Sequence, residues 1–252
     1  MTFTLRPHEV RARVAQAHGL ERTELTRVAE DAQLRAATPL PGWTLAHVLA
    51  SRLVFLRAAL RQVQYAQAGE TIAFYRTGPD PRTADRRARD EELAVHAVRP
   101  AADLVGEVRQ ATVVLDDVFG RLQDEDWKRP ARYRGRGDLG DVLLAAWREC
   151  QVHRVDYGLE VRPRDWPQDL CEHMLEYLAR RVPDTRTLIM RTPDGHALPL
   201  GSGPEVFELR GELTDLTAWL GGRTTDGPVT RPDGSPAPGL DWLRERRPAR
   251  VA

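Results

Sequence analysis

The sharpest chemical signal in the sequence is Glu149-Cys150-Gln151-Val152-His153-Arg154-Val155-Asp156. At about 100° per residue, Glu149, His153 and Asp156 fall within about 60° of one another on a helix. Val142, Ala145 and Ala146 share that stripe. A carboxylate and an imidazole therefore point where small apolar side chains also point, and acidic groups seldom go inside without a partner. The i, i+4 offset sets Glu149 and His153 side by side. Two chemistries fit. Either the two form a hydrogen-bonded pair with Asp156 orienting the ring, or they are two ligands of a zinc or similar divalent ion with Asp156 supporting them from behind.

A second segment, Pro41-Gly42-Trp43-Thr44-Leu45-Ala46-His47-Val48-Leu49-Ala50-Ser51, puts His47 and Ser51 on one helical side with Phe55 and Ala58. A histidine there is either a hydrogen-bonded core residue or part of a polar pocket between facing helices, a usual place for a metal in a bundle. A third, Leu220-Gly221-Gly222-Arg223-Thr224-Thr225-Asp226-Gly227, follows a helix. Its glycines permit a sharp turn and close approach of the backbone, and Arg223 could clamp a carboxylate or simply be solvated beyond a helix cap.

The elements that must carry these groups read as helices over the first 160 or so residues. Helical periodicity with charged faces runs from Pro7 to Ala36. Thr44 reads as the N-cap of a helix reaching Ala68, stopped by Gly69, with Leu45, Val48, Leu49, Leu53, Leu56, Leu60 and Val63 on one face. With apolar material on two sides, that helix is expected at the centre of a bundle. Gly78 to Arg89 reads as a loop, Asp90 to Val98 as a short helix and Ala101 to Leu122 as an amphipathic one. Asp124 to Gly137 reads as irregular, and Asp141 to Tyr157 as a helix stopped by Gly158. After Pro163 the character changes. A helix from Trp166 to Arg181 gives way to period-two segments, Thr187–Met190 and Ala197–Leu200, flanking Pro193-Asp194-Gly195 as a hairpin. Glu205 to Leu209 reads as a third strand and Glu212 to Leu220 as a helix. The reading is an α+β protein of two domains: residues 1–163 a helical bundle, residues 164–252 a small α+β domain.

Composition narrows the function. The 252 residues hold 37 Lys+Arg against 37 Asp+Glu, which argues against a nucleic-acid partner bound by bulk charge. No apolar run approaches a membrane span, and Met1 to Arg13 lacks the apolar core of a secretory signal. Cys150 and Cys171, outside any CxxC pair, read as buried thiols of a cytoplasmic protein.

Taken together, Pro41-Gly42-Trp43-Thr44-x-x-His47-x-x-Ala50, Arg148-Glu149-x-x-x-His153-x-x-Asp156-x-Gly158 and Gly222-Arg223-x-x-Asp226-Gly227 resemble the mycothiol-dependent maleylpyruvate isomerases in order and separation, over most of the chain. The resemblance implies a DinB-like four-helix bundle followed by a sterol-carrier-protein-like α+β domain. It implies a mononuclear zinc in the bundle and a low-molecular-weight thiol such as mycothiol as cosubstrate. Glu149 and His153 match two of the family's three zinc ligands, and Arg223 matches an active-site arginine. The third ligand, a histidine four residues after the position of His47, is replaced by Ser51. A serine hydroxyl is a poor zinc ligand. His47 therefore stands as a candidate third ligand, with water at a vacant position, or loss of the metal, as the other outcomes.

The activity implied is cis–trans isomerisation of an unsaturated oxo-acid by a metal-activated thiol, in a monomer or homodimer that binds neither nucleic acid nor membrane. A thiol S-transferase acting on electrophiles uses the same parts. A non-catalytic member that binds a small acidic ligand is the reading that the Ser51 replacement favours.

Overall fold

A computed structural model describes residues 5–75, 86–133 and 137–243. Contacts divide the chain into two compact units, Leu5–Glu160 and the residues from Val161 onward. The first holds α1 (Pro7–Glu24), α2 (Asp31–Leu34), α3 (Leu45–Gln67), α4 (Arg86–Ala97), α5 (Ala101–Arg121) and α6 (Leu139–Asp156), with a two-stranded antiparallel ribbon of β1 (Pro130–Ala131) and β2 (Gly137–Asp138) before α6. α1 and α3 each pack against α5 and α6, which closes a four-helix bundle, and α4 lies along α3. The expected loop at 78–89 falls largely outside the described residues, and the stretch read as irregular contains the ribbon.

The central place expected for the helix after Thr44 is what α3 occupies. Sixteen of its 23 residues are buried, so it has neighbours on most sides. Each fully buried leucine contributes about 1.5–3 kcal/mol relative to exposure. Thr44 caps it as read, in a capping box with His47.

The helix read from Pro7 to Ala36 is not continuous. α1 ends at Glu24, a 3-10 turn covers Leu25–Arg27, and Val28 is extended. The Thr23 and Thr26 hydroxyls donate to the Gly19 and Thr23 carbonyls, local bonds that compete with the helical ladder. Gln33 then takes the Ala29 and Glu30 amides and donates to the Arg27 carbonyl, which caps the start of α2. Both pieces carry charged surfaces, so the polar pattern runs across the break.

The second unit contains α7 (Gln168–Leu178), β3 (Arg186–Arg191), β4 (Ala197–Gly201), β5 (Glu205–Arg210) and α8 (Leu213–Gly221), with α7 packed on α8. β3 and β4 form the expected antiparallel hairpin. β5 does not extend it at the β4 edge: the sheet order is β4-β3-β5, with β5 parallel to β3. The chain must cross the start of β3 within three residues. A Cβ on Gly203 would sit 2.0 Å from the Arg186 nitrogen, so only glycine passes there. Among the described residues no helix is long and apolar enough to cross a membrane.

Candidate functional site

Helix α6 starts at Asp138, whose carboxylate accepts the Asp141 amide at 3.1 Å, and is followed by Gly158 at φ +69°. Between these fixed ends Glu149 and His153 stack one turn apart. The ring is not held by the neighbouring carboxylate: His153 Nδ1 is 3.9 Å from Glu149 Oε2, beyond hydrogen-bond range. It is held by the backbone, with Nδ1 2.7 Å from the Glu149 carbonyl oxygen. A carbonyl only accepts, so Nδ1 carries the proton and the neutral ring keeps its lone pair on Nε2. The Glu149 side chain is 21% exposed and that of His153 9%. Asp156 is buried in the last turn.

Glu149 has a partner that the sequence reading missed. The Tyr133 hydroxyl donates to Glu149 Oε1 at 2.9 Å and accepts from Arg148 Nη2 at 3.0 Å. The Tyr133 ring meets Phe74 and Phe55 edge-on, at centroid distances of 4.9 and 6.4 Å. Tyr133 follows β1, so the ribbon returns it onto the middle of α6. Nothing local marks this in sequence, because the contact spans 16 residues of charged loop and helix.

On α3, His47 and Ser51 fall where the helical spacing put them, His47 half-buried and Ser51 buried. His47 is occupied. Its Nδ1 accepts the Thr44 amide at 3.3 Å and lies 2.7 Å from the Thr44 hydroxyl. An amide only donates, so the proton of the neutral ring sits on Nε2, and His47 in this cap offers no lone pair to an ion.

The donor groups that converge most closely lie elsewhere, between α1 and α6. Among the described residues, donor atoms of His18, Glu21 and Cys150 all lie within 4.8 Å of one another, deep in the bundle. No such group of three forms around Glu149 and His153 among those residues. The buried group is already neutralised. Arg52, itself fully buried, binds both Glu21 oxygens at 2.9 and 3.0 Å, and the Tyr157 hydroxyl donates to Oε1 at 2.7 Å. Burial alone would raise the Glu21 pKa, but the Arg52 charge and bonds override it and hold the carboxyl at about 2. Burial pushes the Cys150 thiol well up, away from the thiolate that a metal needs. A divalent ion would have to displace Arg52. We read this group as an internal ion pair, for which the signal was visible: His18 and Glu21 lie on the α1 stripe of Val10, Val14 and Ala17.

In the second unit, the glycine-rich segment is a helix cap joined to a clamped loop. Gly222 is left-handed at φ +77°, and the Arg223 amide donates to the Ala218 carbonyl. Arg223 Nη1 donates to the Gly221 carbonyl at 2.8 Å. Buried Asp215 accepts the Asp226 and Gly227 amides at 2.8 and 2.9 Å. A Cβ at Gly227 would lie 2.6 Å from Asp215 Oδ2, so the Asp226-Gly227 pair in the motif serves this clamp.

Comparison with known proteins agrees with this architecture. A family model described as the mycothiol maleylpyruvate isomerase N-terminal domain matches residues 14–158. The crystal structure of a mycothiol-dependent maleylpyruvate isomerase superimposes with a TM-score of 0.80 at 20% identity, covering 93% of this chain and 95% of that one. A histidine-to-alanine variant of such an enzyme gives 0.79 at 19% identity over the same shares. At that identity the match speaks for the fold. A search of curated proteins found no match.

Proposed function

We propose a function from one premise: the chain belongs to the mycothiol maleylpyruvate isomerase N-terminal domain family. The proposed activity is isomerisation of an unsaturated oxo-acid with the help of a small thiol such as mycothiol. The observation that carries it is the His153 Nδ1 bond to the Glu149 carbonyl. That bond fixes the ring with its lone pair on Nε2, one helical turn from Glu149, and a backbone hold on the other nitrogen is how ligating histidines are oriented. Carboxylate oxygen and imidazole nitrogen are both ordinary zinc donors, so Glu149 and His153 would hold a zinc or similar ion. A divalent ion bound there would lower the pKa of a small thiol, so that thiolate exists near neutral pH.

The oxo-acid would gain thiol across its conjugated double bond, rotate about the resulting single bond, and lose the thiol again as the double bond re-forms in trans. The protein supplies no sulfur of its own: Cys150 and Cys171 are free but buried. Arg223 is proposed to pair with a substrate carboxylate and steady the developing enolate. His47 would add a third ligand only by leaving the Thr44 cap. Asp156 and Ser51 complete the set of polar residues assigned near the ion. The reading takes the chain as a cytoplasmic monomer or homodimer acting on a small acid.

Should the addition not be followed by elimination, the same groups make a thiol S-transferase. A specific observation favours a second reading, that of a non-catalytic binder of small acids: Ser51 stands where the third ligand is expected, and His47 is capping. Metal analysis of untagged protein separates them. The enzyme reading expects about one zinc per chain, lost in Glu149→Ala and in His153→Ala, and tighter in Ser51→His. Protein that takes up no zinc when supplied with it would eliminate thiolate activation.

A further inference from the structure

We infer that Tyr133 is a positioning residue, one that fixes the Glu149 carboxylate as a metal ligand and so sets the metal affinity; this rests on the reading above. The Tyr133 hydroxyl is held from both sides, accepting from Arg148 Nη2 at 3.0 Å and donating to Glu149 Oε1 at 2.9 Å. A phenol that accepts from a cation becomes a better donor, and its bond to an anion is charge-assisted. The Arg148 guanidinium also lies over the Tyr133 ring, 5.4 Å from its centroid, and both residues are buried. Phe74 and Phe55 close around the ring edge-on. The phenol thus has one place to sit, and Glu149 Oε1 is tied to it.

The consequence is a division of labour within one carboxylate. Oε1 is spent on the phenol, while Oε2 lies on the side of His153, 3.9 Å from its Nδ1. A glutamate on a helix has three rotatable bonds, and ordering such a side chain costs conformational entropy. An ion that meets a carboxylate already ordered by Tyr133 does not bear that cost, which is the general effect of partners bonded to metal ligands. With one conventional ligand position replaced by Ser51, the site depends more heavily on how well Glu149 is held.

The test is a zinc titration by chelator competition on the full chain, wild type against Tyr133→Phe. The substitution keeps the ring against Phe55 and Phe74 and removes one oxygen. The dissociation constant should rise about 10- to 100-fold, the thermal midpoint should fall by only a few degrees for the two hydrogen bonds lost, and the cobalt(II) absorption of the substituted protein should shift and weaken. Arg148→Lys, which keeps the charge but loses the fork, should weaken zinc binding by a smaller factor and serves if Tyr133→Phe does not fold. Wild-type affinity in both variants would overturn the role of Tyr133 and leave the metal reading standing. A wild-type chain that binds no zinc would overturn both.

Discussion

Helix α6 contributes to two polar clusters, and neighbouring residues on it have opposite fates. Glu149 keeps 21% of its side chain exposed, while Cys150 is fully buried beside Glu21. By residue type the inner cluster is the better metal site: it has a histidine, a carboxylate and a thiol within 4.8 Å. Charge reverses that ranking. Arg52 already neutralises Glu21 with two bonds, Tyr157 fills another lone-pair direction, and the thiol is held protonated by burial. On the outer side the carboxylate is met by a phenol hydroxyl and the imidazole by a backbone carbonyl. The difference teaches that convergence of ligating residue types counts for less than what already balances their charge.

Breaking the inner cluster should give the largest effect. Arg52→Met leaves Glu21 as an uncompensated buried charge, and removing one partner of such a pair costs about 3–5 kcal/mol. Urea unfolding should show that loss, and zinc binding by the refolded protein should be retained. The double variant Glu21→Leu with Arg52→Met should recover most of the stability, since apolar replacement of a whole buried pair is often neutral or better. A single variant that costs less than about 1 kcal/mol would mean that the inner cluster is not a closed ion pair.

Much of this arrangement was legible in the chain. The stripe of Val142, Ala145, Ala146, Glu149 and His153 is a local, helical fact, and so is the Thr44 cap. The hairpin followed from alternation around Pro193-Asp194-Gly195. What escaped was non-local. Arg52 lies between Val48, Leu49, Phe55 and Leu56 on the buried side of α3, but its partner is 31 residues away on α1. Tyr133 reaches Glu149 only because a short ribbon turns the chain back. The order β4-β3-β5 depends on a crossing that Gly203 permits and that alternation along the strands cannot express. The break after Glu24 was hidden because both helical pieces keep charged surfaces.

Acidification provides a smaller perturbation of the same contrast, and its sign is fixed by two inner groups. Burial lowers the His18 pKa from 6.5, opposed by its bond to Asp116, with Arg22, Glu21 and Arg52 as the other charges around it. The unfolded chain takes up that proton first, so stability should begin to fall as the pH drops below about 6.5. Glu21, held at about 2 against an ordinary 4.5, stabilises fully above 4.5, and that contribution is lost as the pH falls from 4.5 through about 2. Thermal midpoints measured from pH 8 to 3 should therefore decline in two stages, and His18→Gln should flatten the first. A midpoint that rose on acidification would contradict both assignments.

The smallest effect bears on whether the outer face recruits a third protein ligand. His47 accepts the Thr44 amide as the returning half of a capping box. His47→Ala removes that bond at the start of α3, a loss of about 0.5–1.5 kcal/mol for one intramolecular hydrogen bond. As long as the ring stays in the cap, its Nε2 carries the proton and zinc affinity should be the same in His47→Ala as in the wild type. Tenfold weaker binding would show instead that the ring leaves Thr44 when the ion arrives. Stability and affinity then respond in opposite senses to the metal: zinc-loaded wild type has given up the cap, so the cost of His47→Ala to the loaded protein would appear in binding rather than in folding. Chelator competition and a melt of the same two proteins, each with and without zinc, distinguish the two cases.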